Sequence, residues 1–75
     1  MNNRDLKLIM RSKARMAKGL VTLLKDDADQ MWNDVNMFDM IGLEETINDT
    51  KRTAQQLMNI ATELEYYQYI AKDDA

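Results

Sequence analysis

The sequence contains no cysteine, no proline and no histidine, and it has only two glycines among 75 residues. Without cysteine there is no disulfide framework, zinc–thiolate site or thiol nucleophile. Without histidine there is no Ser-His triad and no imidazole metal site. Two isolated glycines do not make a phosphate-binding loop, and charges recur too often for a signal peptide or a membrane span. We therefore expect no enzymatic activity, no cofactor and no metal.

Residues that favour helices dominate the composition, and the sequence shows neither strand alternation nor a hairpin-turn signal. We expect residues 1–75 to form a single all-α domain, a small helical hairpin or three-helix unit with two long helices and a short connecting helix. Such a small core lacks the disulfides and metals that commonly support small domains. We therefore expect the chain to complete a bundle by homodimerisation, with coiled-coil packing.

The spacing of apolar residues predicts three helices, over about residues 3–25, 27–40 and 43–72. Asp26 or Asp27 would cap the second helix, and Gly42 would end it or kink the chain. Two aromatic side chains in the second helix, Trp32 and Phe38, are expected to anchor the core.

The third predicted helix carries a heptad seam of apolar or small residues at alternating steps of four and three. The seam comprises Leu43, Ile47, Thr50, Ala54, Leu57, Ala61, Leu64, Gln68 and Ala71. A second apolar strip lies off the seam, which indicates contact with more than one neighbouring helix. The predicted oligomer interface takes residues from both: Leu57, Ile60, Ala61, Leu64, Tyr67 and Ile70.

Charge is segregated along the chain, with a net charge of +6 over residues 1–25, −8 over 26–50 and −1 over 51–75. One face of the first helix is predicted to be basic and to comprise Arg4, Lys7, Arg11, Arg15 and Lys18. An acidic face is predicted at Asp29, Asp34 and Glu45. These faces either keep a small protein dissolved or meet a charged partner.

The basic face admits several partners. Five cations along one side of a helix would neutralise nucleic-acid phosphates, although the whole chain is acidic and has no base-reading motif. The same helix resembles one that lies on a membrane surface, but core formation explains its apolar side better.

The acidic stretch within residues 26–50 could imitate a row of phosphates. Sequestration of a small anionic ligand between subunits is a further alternative.

Lys13 breaks the pattern of the first helix, because it falls within the apolar arc. Its stem either lies along the apolar surface with the ammonium at the edge, or it forms an ion pair. The partners that we consider for this pair are Asp39, Glu45 and Glu65.

The most favoured function is a non-catalytic protein-interaction module, such as a small regulator, inhibitor or adaptor that acts through charged helix faces. Nucleic-acid binding through the first helix is the alternative. The absence of cysteine fits a reducing cytosol, so a cytoplasmic location is expected. Small acidic helical proteins of this kind are common among phage products, in which case the location would be the host cytoplasm.

Overall fold

The computed structural model describes residues 2–74 and contains two long helices, α1 over Asn3–Asn36 and α2 over Met40–Asp74. They pack side by side and antiparallel as a helical hairpin with principal dimensions of 54 × 14 × 12 Å. A rise of about 1.5 Å per residue gives helices of this length. The prediction of an all-α hairpin with two long helices is confirmed.

The prediction of a short connecting helix is wrong, because α1 runs without a break through the predicted boundary at residues 25–27. Asp26 and Asp27 are good capping residues, but a cap begins a helix only where the preceding one has ended. Neither glycine nor proline interrupts the i→i−4 hydrogen bonds here. The inward-facing side also continues past the boundary, from Leu24 to Met31, in steps of three and four.

The hairpin turn lies at residues 37–39. The Phe38 N–H donates to the Val35 carbonyl oxygen at 3.1 Å, and the Asp39 N–H donates to the Asp34 carbonyl oxygen at 2.8 Å. This pair of bonds is the Schellman motif, which needs a left-handed residue just beyond the helix. Phe38 takes that place, with φ 54°.

Asp39 begins α2 as its N-cap. Its carboxylate accepts a hydrogen bond from the Gly42 N–H at 2.9 Å, and its carbonyl oxygen accepts one from the Leu43 N–H at 2.9 Å. Gly42 therefore lies in the first turn of α2 and neither ends nor kinks a helix. A Cβ on Gly42 would lie 2.5 Å from Asp39 Oδ2, so glycine gives the capping carboxylate room.

The residues between the helices form two matched heptad seams, defined by burial at alternating steps of three and four. The α1 seam comprises Leu6, Met10, Lys13, Ala17, Leu20, Leu24, Asp27, Met31 and Asp34. The α2 seam comprises Leu43, Thr46, Thr50, Thr53, Leu57, Ile60, Leu64, Tyr67 and Ala71. Five of the nine α2 seam residues are as predicted, and the other four lie one residue earlier in the chain than predicted.

This shift reverses two predicted roles. Ile60, assigned to an oligomer interface, is only 6% exposed within the single chain, so that assignment is wrong. Ala61, assigned to the seam, is exposed. The apolar pattern favoured Ile47 and Ala54 over Thr46 and Thr53, but a buried threonine is tolerated where its hydroxyl finds a hydrogen-bond acceptor.

Candidate interaction surfaces

Large apolar side chains crowd the turn end of the hairpin and remain exposed. We define the apical cluster as Trp32, Val35, Met37, Phe38, Met40 and Ile41, whose exposed fractions range from 44% to 80%. The expectation that Trp32 and Phe38 anchor the core is wrong, since they are 70% and 79% exposed. The sequence held one signal of this surface: six large apolar residues within ten positions are too many for one helical stripe.

Phe38 is the most informative member of the apical cluster. A left-handed backbone at a residue other than glycine is unfavourable by about 1–2 kcal/mol. Burial of the side chain would offset this strain, but Phe38 is 79% exposed. Met37 and Ile41, which flank it along the chain, are 80% and 76% exposed. The turn thus presents three apolar side chains outward at the expense of local stability.

Acidic side chains surround the apical cluster. Asp29, Asp39, Glu44 and Glu45 are all exposed within two or three turns of residue 38. The predicted acidic face therefore holds for Asp29 and Glu45 as far as exposure is concerned. Its placement at the turn gives this end of the hairpin an apolar tip with an anionic rim.

The prediction that Asp34 belongs to the acidic face is wrong, because Asp34 is buried, with 4% exposure. Its two carboxylate oxygens accept hydrogen bonds from Gln30 Nε2 and the Thr46 hydroxyl, each at 2.8 Å. The Thr46 bond crosses from α2 to α1 immediately below the turn. Polar residues at matching seam positions of both helices signal this network. The wheel for a separate second helix placed Asp34 on the solvent side and so missed it.

Lys13 also makes a contact between the helices. Its Nζ lies 2.7 Å from Glu63 Oε2, and both side chains are partly exposed. The predicted partners Asp39, Glu45 and Glu65 are wrong, because Lys13 pairs with Glu63 instead. The hydrogen bond and the charge of Glu63 raise the pKa of Lys13 above its ordinary value of 10.5. The pair therefore joins α1 to α2 at a seam position of α1.

All five cations of the basic face are exposed, as the prediction requires: Arg4, Lys7, Arg11, Arg15 and Lys18. None of the five forms an ion pair with a residue that the structure describes. The remaining residues of the predicted oligomer interface divide by location. Leu57, Leu64 and Tyr67 are half-buried in the seam, Ile70 is half-buried beside it, and Ala61 is open to solvent.

The hairpin has two broad sides, which differ in chemistry. One side, which we call the alanine face, comprises six of the residues that follow a seam residue by one position: Ala14, Val21, Ala28, Ile47, Ala54 and Ala61. Ala14 and Ala61 open onto grooves that share Met10 and Leu64 as lining. The other side, which we call the mixed face, carries a groove of about 720 Å³. Met16, Leu23, Gln56 and Glu63 are among its lining residues.

Within residues 2–74, no three of the acidic side chains that the structure describes lie close enough together to hold a metal ion. Over the same range, no helix combines the length and the apolar character needed to cross a membrane. The chain matches no protein-family model, no curated protein and no solved structure. The surfaces themselves therefore carry the functional argument.

Proposed function

We propose that this chain is a non-catalytic protein-interaction module and that the apical cluster is its binding element. The observation that carries the proposal is the conformation of Phe38, a left-handed residue whose ring is 79% exposed. Glycine would form the same turn without strain. Strain that the fold itself does not use is typical of a functional position.

The chemistry of the tip describes its partner. Exposed aromatic and methionine side chains are enriched at the centres of protein interfaces, whereas charged groups are enriched at the rim. The apical cluster lies at the narrow turn end of the hairpin, which is 14 by 12 Å across, so the partner that we propose offers an apolar groove. Because Asp39, Glu44 and Glu45 lie around it, the rim of that groove should be basic, which would speed association at low salt. An anionic membrane would instead be repelled.

Self-association is part of this proposal. Among the described residues, only Leu6 and Ile60 are buried apolar side chains, and thirteen large apolar residues are at least 40% exposed. A two-helix hairpin that leaves so much apolar surface in water gains little stability from its own core. A homodimer that forms a four-helix bundle would cover part of this surface.

The basic face supports a second candidate function, nucleic-acid binding. Its five cations are exposed and free to meet phosphates. Retention on nucleic acid that weakens steeply with salt, and that Arg11→Glu with Arg15→Glu removes, would favour it. Unchanged retention in this double variant would count against it.

Site-specific photo-cross-linking in the source cells tests the tip. A benzophenone amino acid in place of Phe38 should trap one protein reproducibly, whereas the same group in place of Leu8 should not. Leu8 is a matched control because it is 56% exposed and lies at the far end of α1. Adding Ile41→Asp should abolish the cross-link, since a charge would enter the apolar contact.

The Ile41→Asp variant should keep its fold, because an acid in the first turn of a helix is favourable. Circular dichroism checks this. Equal trapping from positions 38 and 8, or trapping that survives Ile41→Asp, would contradict the proposed binding element. Trapping of lipid or nucleic acid instead of protein would also contradict it.

A further inference from the structure

We infer that a second copy of the chain packs on the alanine face in the antiparallel direction, so that the dimer carries an apical cluster at each end. This inference rests on the proposed self-association and adds to it a face and an orientation. The two broad sides of the hairpin, its dimensions and its charge distribution together support it.

The alanine face suits close packing of helices. Its side chains are small or β-branched and run along both helices, and the charged residues Lys7, Arg11 and Glu65 line its grooves. Small side chains allow helix axes to approach to about 8 Å. The half-buried seam residues Met10, Leu57 and Leu64 would be covered by the second copy. The mixed face is a poorer surface for close packing, because the larger side chains of Met16 and Leu23 line its groove.

The area of the face is large enough for a dimer. A surface of 54 by 14 Å covers about 750 Å² on each copy. Specific and stable interfaces bury about 800 Å² per partner. Two hairpins in contact along their whole length would reach this size, whereas a partial overlap would fall short of it.

Charge selects the orientation. The turn half of the hairpin, residues 19–57, contains three bases and eight acids, for a net charge of −5. The open half, residues 1–18 and 58–75, contains seven bases and five acids, for a net charge of +2. Parallel packing would bring the two acidic halves together. Antiparallel packing brings each acidic half against a basic half and is favoured by Coulomb's law.

The orientation has a consequence for function. In an antiparallel dimer, the two apical clusters lie at opposite ends, separated by about the 54 Å length of the hairpin. Such a dimer would hold two partner molecules apart and connect them. A parallel dimer would instead place both clusters side by side against a single partner.

Single cysteines test the face, because the natural chain has none. Val21 lies near the middle of α1 on the alanine face, so Val21→Cys should be close to its counterpart across the two-fold axis. A short bis-maleimide should convert this variant mainly to a covalent dimer. Leu23→Cys is the matched control on the mixed face, since Leu23 is 51% exposed and Val21 is 40% exposed. It should give only background cross-linking.

Two further measurements separate the possible failures. Light scattering on the natural chain at micromolar concentration should give twice the 8.8 kDa mass of one chain, and a mass of one chain would overturn self-association. Spin labels on Met37→Cys should lie about 54 Å apart, and a short distance would overturn the antiparallel orientation. A dimer that cross-links through Leu23→Cys instead of Val21→Cys would overturn the face. Circular dichroism confirms that each variant is folded.

Discussion

Replacing Phe38 by glycine should make the hairpin more stable, although the change removes a large apolar side chain. The left-handed backbone at Phe38 is unfavourable by about 1–2 kcal/mol for a residue with a Cβ. Glycine removes this penalty. The ring contributes little in return, because it is 79% exposed and is not part of the seam.

The gain is reduced by the freedom of glycine in the unfolded chain, which opposes folding by about 0.4–1 kcal/mol. The net stabilisation should be about 0.5–1 kcal/mol. For a chain of 60–100 residues, this raises the midpoint of thermal unfolding by about 3–6 °C. Circular dichroism at 222 nm measures the midpoint, at one fixed protein concentration because association also shifts it.

Met37→Gly is the matched control for this experiment. Met37 is 80% exposed and adjacent in the chain, but its φ is −89°, which carries no left-handed strain. Glycine at position 37 should destabilise the hairpin by about 0.5–1 kcal/mol, solely because it gives the unfolded chain more conformational freedom. If Phe38→Gly lowers the midpoint as much as Met37→Gly does, the reasoning about strain at the turn is wrong.

Three other changes have defined outcomes. Ala61→Arg should halve the mass seen by light scattering while leaving the helical signal intact, whereas the exposed Asn59→Arg on the other side of α2 should leave the dimer unchanged. Asp34→Ala should lower the free energy of unfolding in urea by about 1–3 kcal/mol, because the buried hydrogen bonds from Gln30 and Thr46 are lost; an unchanged urea midpoint would contradict this. The pKa of Lys13 is raised in the folded state, so its contribution to stability is complete below pH 10.5 and is lost as pH rises through the folded pKa. The natural chain should therefore lose more stability above about pH 10.5 than Lys13→Met does, and parallel losses would argue against the ion pair.

The helical hairpin could be predicted from the sequence because helix formation depends on local features that are visible there. Asn2 accepts a hydrogen bond from the Arg4 N–H at 2.7 Å, as expected of a capping residue, and Asp5 lies in the first turn. The two long amphipathic segments need no tertiary information to be recognised. These features are sufficient for the fold class.

The continuity of α1 and the position of the turn depend on competition between distant residues. Asp27 caps no helix because α1 continues through it, and Gly42 lies in the first turn of α2; the chain reverses between them, at Phe38. An exposed aromatic residue in a left-handed conformation goes against local preference, so no local rule predicts it. For the same reason, the sequence alone assigned the aromatic side chains to a core.

The α2 seam shows a second limit of what can be predicted from the sequence. Thr46 and Thr53 lie on it, although neither is an apolar residue. The alternative register offers Ile47, Ala54 and Ala61, and an apolar pattern cannot distinguish the two. In the observed register, the Thr46 hydroxyl donates to the buried carboxylate of Asp34 on the other helix. Information of that kind appears only once the helices are paired.

The most direct test of the binding element is the affinity of this chain for the partner protein that is cross-linked at position 38. It should be measured for the natural chain and for Phe38→Gly, with the thermal midpoint taken on the same samples. We predict that the variant is the more stable protein and binds more weakly by about 30-fold or more, since central aromatic residues of interfaces contribute about 2 kcal/mol or more. Equal affinity of the two proteins would show that the exposed turn is not what this chain uses to bind.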